Sequence, residues 1–253
     1  MTMTTTDVRS IPAITHREAG GLSEEEYGRF ADLLETVSPN QWSSPTDCAD
    51  WTVRDLAGHV VGAMRSAASF REFIRLQREI QRRVRAGGRP IVDEMTALQI
   101  ESTSGLTEAE LVAECRNLVL PAAKGRRRTP APARRFFGFP VEMGSISERW
   151  TLGYLVDVIL TRDIWMHRID LSRAIDGEFR ADAAHDGRIV EDVVAEWARR
   201  HGQPFTLALT GVAGGVFSQG AGGPNIQLDA VEFCRVLSGR ATGEGLLTTE
   251  VPF

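Results

Sequence analysis

The sequence predicts an α+β fold: an N-terminal four-helix bundle followed by a small C-terminal α+β domain. Two observations carry this. Amphipathic stretches with helical spacing fill the chain as far as Gly177. Beyond it come one further helix and then short alternating runs between glycine turns. The chain of 253 residues has room for one large domain or two smaller ones. The reading divides it into a flexible tail (1–22), the bundle (23–177) and the α+β domain (178–253).

Taken in order, Ser23 and Glu26 form a capping box that opens a short helix, "YGRFADLLETV", stopped by Pro39. "NQWSSPTDCADW" is a loop rich in turn residues. Thr52 and Asp55 form a second capping box. One long helix follows, its apolar stripe running through Val53, Leu56, Val60, Ala63, Ala67, Phe70 and Ile74, and "AGGRP" at 86–90 ends it. A third helical region covers 91–120, with Thr107 and Glu110 as a further box. "PAAKGRRRTPAPARRFFGFP" reads as a proline-punctuated basic loop. Thr151 opens the fourth helix, which runs to Ala174. The second and fourth helices are the longest, a length pattern that suits a bundle. In the C-terminal part, "DAAHDGRIVEDVVAEWARRHG" is amphipathic helix, "FTLALTG", "VFSQG" and "IQLDA" are short antiparallel strands, and "AVEFCRVLSGR" returns to helix.

Composition narrows the function. A net charge of -5 argues against nucleic-acid binding. No apolar run approaches the ~20 residues a membrane span needs. The N-terminal stretch lacks the basic-then-apolar pattern of a secretory signal, so a cytoplasmic protein is expected. Cys48, Cys115 and Cys234 are scattered and odd in number, against a disulfide framework or a cysteine zinc site. Cys48 reads as a neutral loop cysteine, having no basic neighbour in sequence. The glycines at 211–223 lack the G-x-G-x-x-G spacing and the strand-to-helix context of a dinucleotide site.

One stretch breaks the apolar pattern. In "TRDIWMHRIDLSRAIDG", Asp163, His167 and Asp170 share the arc that carries Val156, Ile159 and Leu160. Arg162 and Arg168 point away from it. Buried carboxylates need partners. A structural polar network is one answer. A divalent ion is another, since carboxylate and imidazole at i and i+4 can both reach it. His59, at the edge of the stripe on the second helix, is the remaining histidine inside a predicted bundle helix; His16, His185 and His201 lie in the tail or flank the helix after the bundle. Three ligands, His59, Asp163 and His167, would leave coordination positions open, as in catalytic zinc sites. Zinc suits the ligand types.

"WSSPTDCADWTVRDLAGHVVG" at 42–62 resembles the N-terminal motif of the mycothiol-dependent maleylpyruvate isomerase family, within the DinB/YfiT-like metalloprotein superfamily. The matching positions are Trp42, Pro45, Thr46, Trp51 to Leu56, and a metal-binding His at His59. A second element, an acidic residue four before a His on the last bundle helix, falls on Asp163 and His167; the family often carries Glu where this chain has the shorter Asp. The resemblance implies a DinB-like bundle, a sterol-carrier-like C-terminal domain, a divalent metal and mycothiol as co-substrate. It also implies an arginine from the C-terminal domain on the substrate carboxylate, for which Arg235 and Arg240 are the candidates.

The expectation is a metal-dependent isomerase or thiol transferase. A low-molecular-weight thiol is its nucleophile, acting on a small electrophilic substrate. Asp170 is placed as the orienter of His167, or as the cap of a hydrogen-bond network. The expected partners are the substrate and the thiol, with neither nucleic acid nor membrane, and a homodimer is compatible. The contrasting reading is a non-catalytic metal-containing sensor or small-ligand carrier, which a further protein ligand closing the metal site would favour.

Overall fold

The computed structural model describes residues 4–87, 89–143 and 146–253. Thr15–Phe179 form one compact unit; Arg180–Phe253, with the residues up to Ile14, form a second.

In the first unit, α1 (His16–Leu34) begins about two turns before the expected start. Its capping box is Thr15 with Glu18. Ser23 and Glu26, expected to cap, are buried inside the helix: the Ser23 hydroxyl donates to the Gly20 carbonyl, and Glu26 pairs with Arg168. The same S-x-x-E spacing occurs inside a helix whenever both residues face the core, and here burial overrides it.

The expected long second helix is two. α2 (Val53–Ala68) opens on the Thr52–Asp55 box. Ser69 then leaves helical geometry and caps α3 (Phe70–Arg85) by accepting from the Glu72 N–H. Phe70, expected in the stripe, is therefore 78% exposed. α3 buries Leu76 and Ile80 against Leu98 of α4 (Ile91–Thr103). Of the "AGGRP" terminator, Gly88 lies outside the described residues.

α5 (Glu108–Arg127), capped by Thr107 and Glu110, continues through Pro121 into what read as a loop. Its packing on α1 and α2, with Cys115, Ala122 and Ala123 fully buried, outweighs the helix-breaking tendency of the proline. Strand β1 (Thr5–Asp7) belongs to the second unit; the rest of that basic stretch forms a short helix α6 (Ala131–Phe136) and leads into the strand β2 (Gly138–Met143), antiparallel to β3 (Ile146–Thr151). Thr151 caps a single turn α7 (Leu152–Tyr154). A π-helical turn over Leu155–Ile159 leads into α8 (Leu160–Ala174). Helices α1, α2, α5 and α8 pack as the expected four-helix bundle, around Phe30, Leu34, Leu56, Val60, Met64, Leu111 and Leu171.

The second unit departs from expectation at both ends. The segment read as a tail contains strand β1 (Thr5–Asp7), which pairs in parallel with β5 (Gly215–Gln219). Asp7 caps the following short turn, and Val8 is buried. Residues 1–3 lie outside the described residues. The helix α9 (Asp186–His201) precedes β4 (Phe205–Thr210), and β6 (Asn225–Asp229) precedes α10 (Ala230–Leu237). The sheet order is β1-β5-β4-β6. β4 and β5 are antiparallel as expected, but β6 lies parallel to β4 on its other side. The crossover between β5 and β6 needs left-handed backbone, supplied by Gly220, Gly222 and Gly223 with φ of 65°, 77° and 84°. Trp197, Phe205 and Phe233 form the aromatic centre of this unit's core. No helix among the described residues is long and apolar enough to cross a membrane.

Candidate functional site

α8 is buried on nearly all sides: from Thr161 to Ser172, Asp163 is the one residue that is not. Even Arg162 and Arg168, on the far arc, are inside, and Arg168 is held by Glu26. The π turn changes the angular step between residues, so the wheel drawn back through Val156 does not carry across it. Arg126 of α5 reaches this turn. Its guanidinium donates to the carbonyls of Val156 (2.6 Å) and Leu160 (3.2 Å) and to the Thr161 hydroxyl (2.6 Å). It thereby satisfies oxygens that a π turn displaces from the helical ladder.

His59 of α2 and Asp163 and His167 of α8 converge. His167 Nε2 is 3.3 Å from Asp163 Oδ1, and His59 Nε2 is 3.9 Å from Asp163 Oδ2. One ligand atom from each of the three lies within 4.8 Å of the other two. Two ligands about 2.05 Å from a tetrahedral ion sit roughly 3.3 Å apart, so the spacing suits a divalent ion. His59 strengthens the fit: it is buried, and neither ring nitrogen has a hydrogen-bond partner. Among the described residues no fourth His, Cys, Asp or Glu joins this group.

Asp170, fully buried, stands behind His167 with Oδ2 3.1 Å from Nδ1. This leaves Nε2 facing Asp163. Burial alone would disfavour ionising Asp163 or protonating His167. Their mutual attraction outweighs it, holding the Asp163 carboxyl well below the usual carboxylate range and raising His167 well above the usual imidazole value. Burial dominates at His59 and lowers its proton affinity, against the pull of Asp163.

The loop "PTDCADW" brings in two further residues, Cys48 and Trp51. Thr46 accepts from the Cys48 N–H and donates to the Trp51 carbonyl, and Asp50 takes a left-handed φ of 64°. So pinned, Trp51 covers both imidazoles, with ring centroids 5.1 Å from His59 and 5.9 Å from His167. Cys48, read as a neutral loop cysteine, donates to Asp170 Oδ2 at 3.3 Å and lies 3.8 Å from His167 Nδ1. Its partners are more than a hundred positions away in sequence, so no local pattern could reveal them. Cys48 sits on the Nδ1 side of His167, opposite the nitrogen that faces Asp163. Trp51 did carry a signal, as part of the Trp-Thr-Val-Arg-Asp-Leu run.

A family model described as the mycothiol maleylpyruvate isomerase N-terminal domain matches residues 23–172. The chain belongs to this family. The mycothiol maleylpyruvate isomerase N-terminal domain thus takes in His59, Asp163, His167, Asp170, Cys48 and Trp51. Among solved structures, the chain resembles the crystal structure of the mycothiol-dependent maleylpyruvate isomerase, with a TM-score of 0.55 and 16% identity over 98% of both chains. It also resembles that of a histidine-to-alanine mutant of the enzyme, with a TM-score of 0.54 and 15% identity over 94% of this chain and 93% of the other. At such identity the likeness is one of fold: a helical N-terminal domain and a C-terminal α+β part. A search of curated protein sequences returned no match.

Arg235 and Arg240 belong to the second unit, outside the family domain. Arg235, on α10, is buried and paired with Glu232 at 2.7 Å. Arg240 follows α10, its N–H bonded to the Arg235 carbonyl.

Proposed function

We propose that this protein is a metal-dependent enzyme using a low-molecular-weight thiol, mycothiol by family, in isomerisation or thiol transfer on a small electrophilic substrate. One observation carries the reading: His59, a buried histidine with two unpartnered nitrogens, faces a carboxylate and a second imidazole at ligand spacing. Leaving such a group dry and unpaired is costly, and an ion between the three removes that cost.

His59, Asp163 and His167 would hold the ion, zinc by ligand type. When bound, zinc supplies a Lewis acid that keeps a coordinated thiol as thiolate. The remaining work belongs to the chain. Asp170 fixes the His167 ring so that Nε2 points inward. Cys48 donates to Asp170 and helps hold that carboxylate. Trp51 shields the two imidazoles. Asp163 keeps 27% of its side chain exposed, so the ligand set is open to incoming molecules. With Cys48 on the far side of His167, the described residues provide three ligands, which favours an open catalytic site over a closed structural one.

The test is metal analysis of the purified protein. About one equivalent of divalent metal is expected, lost in His59→Ala and His167→Ala. Cobalt substitution followed by mycothiol should produce a sulfur-to-cobalt charge-transfer band. Unchanged metal content in both variants would remove the site. A cobalt spectrum blind to every small thiol would remove the thiol chemistry.

A further inference from the structure

His59 and His167 are oriented unequally. His167 has Asp170 behind it, whereas His59 has no bonded partner at either nitrogen. A metal-ligating imidazole ordinarily donates its second N–H to an acceptor, which sets both tautomer and ring angle. The structure holds a candidate for that acceptor. Gln99 of α4 is buried, and its Oε1 is likewise without a hydrogen-bond partner. α4 packs on α2 at this level. Gly62, one turn beyond His59, lies so close to α4 that a Cβ there would come 2.6 Å from the Gln99 carbonyl oxygen and 2.8 Å from its Cα and Cβ. One buried donor and one buried acceptor thus stand unpaired on facing turns.

Resting on the metal reading above, we propose that Gln99 is the positioning residue for His59: its side-chain carbonyl accepts the Nδ1–H and turns Nε2 toward Asp163 and His167. The terminal torsion of a glutamine is soft, so the side-chain carbonyl can turn to meet Nδ1. Each ligand imidazole then has its own orienter. His167 has a carboxylate from the same helix, and His59 a neutral amide from a neighbouring one. A neutral partner leaves the net charge around the ion lower in magnitude than a second carboxylate would, and so preserves its Lewis acidity. The α3–α4 excursion thereby delivers Gln99 to α2.

The experiment has two arms. Zinc affinity of the full chain, by competition with a chromophoric chelator, should fall about 10–100-fold in Gln99→Leu and stay within a few-fold of the parent in Gln99→Glu, which keeps an acceptor. Gln99→Leu binding zinc as tightly as the parent would overturn the proposal. Should Gln99→Leu fail to fold, Gln99→Met, of similar length but without the carbonyl, is measured in its place. The second arm uses nitrogen-15 NMR of His59 in the metal-free parent chain and needs no variant. A proton on Nδ1 is expected, and a proton on Nε2 would overturn the proposal. If the parent binds no zinc, the metal reading fails while the tautomer still decides the Gln99–His59 pairing.

Discussion

His167 touches three groups that stand far apart in the chain or a turn away on its own helix: Asp163, Asp170 and Cys48. The first two raise its proton affinity, and that has a consequence for pH. A group with a raised folded value contributes stability fully below its unfolded value of about 6.5 and loses it as pH climbs through the folded value. Asp163, held low, contributes above about 3.9 and loses its contribution only as pH falls further. The pair is therefore intact from about pH 4 to 6.5. The chelated protein is expected to lose thermal stability above about pH 6.5. Zinc must displace the His167 proton, so the rise in Tm on adding zinc should grow over the same range. Melting curves with zinc and with chelator between about pH 5.5 and 8.5 test this; a zinc increment that does not change with pH would contradict it.

At the scale of elements, the α2–α4 contact depends on missing side chains. Gly58 and Gly62 face α4, where a Cβ would sit 2.6 Å from Thr103 Oγ1 or from the Gln99 carbonyl oxygen. Backbone cannot swing aside as a side-chain end can. Gly62→Ala is expected to destabilise by roughly 1–3 kcal/mol through overpacking, and to weaken zinc binding if α4 carries Gln99 outward. Gly21 makes the contrast. It is exposed inside α1 with nothing within 4 Å of its would-be Cβ, so Gly21→Ala should stabilise by about 0.5–1 kcal/mol. Urea unfolding of both variants measures the signs, and a neutral Gly62→Ala would show that the helices can separate without cost.

For the whole molecule, the division into units makes the family domain separable. We expect a fragment of residues 15–179 to fold and bind zinc, because its core and all three candidate ligands lie within it. Deleting the first fourteen residues from the full chain is a different matter. It strips β1 from β5 and leaves that sheet edge unpaired, so the second unit should lose cooperativity or aggregate. Circular dichroism, metal analysis and light scattering on the two proteins test these outcomes; a fragment that unfolds would mean that the bundle core is not self-sufficient.

The features legible in the sequence were those governed by local periodicity and short spacing. Helical spacing marked the segments that became α1, α2, α5 and α8, and two of the three expected capping boxes sit where they were read. The i, i+4 pair Asp163 and His167, on a stripe meant to be apolar, pointed to the site because one helix turn sets their separation. His59 was linked to them by its place at the edge of the α2 stripe, as the other histidine inside a predicted bundle helix, and the motif resemblance added to that link. What the sequence could not carry was decided by contacts between distant segments. Ser69 ends α2 because α3 finds its own partner in α4. Pro121 is tolerated because α5 is buried on two sides. The first residues become a strand because β5 offers an open edge. Cys48 and Trp51 reach the histidines through the geometry of their loop. Local physics sets which face of a helix is polar, and only the packed chain determines which polar groups meet there.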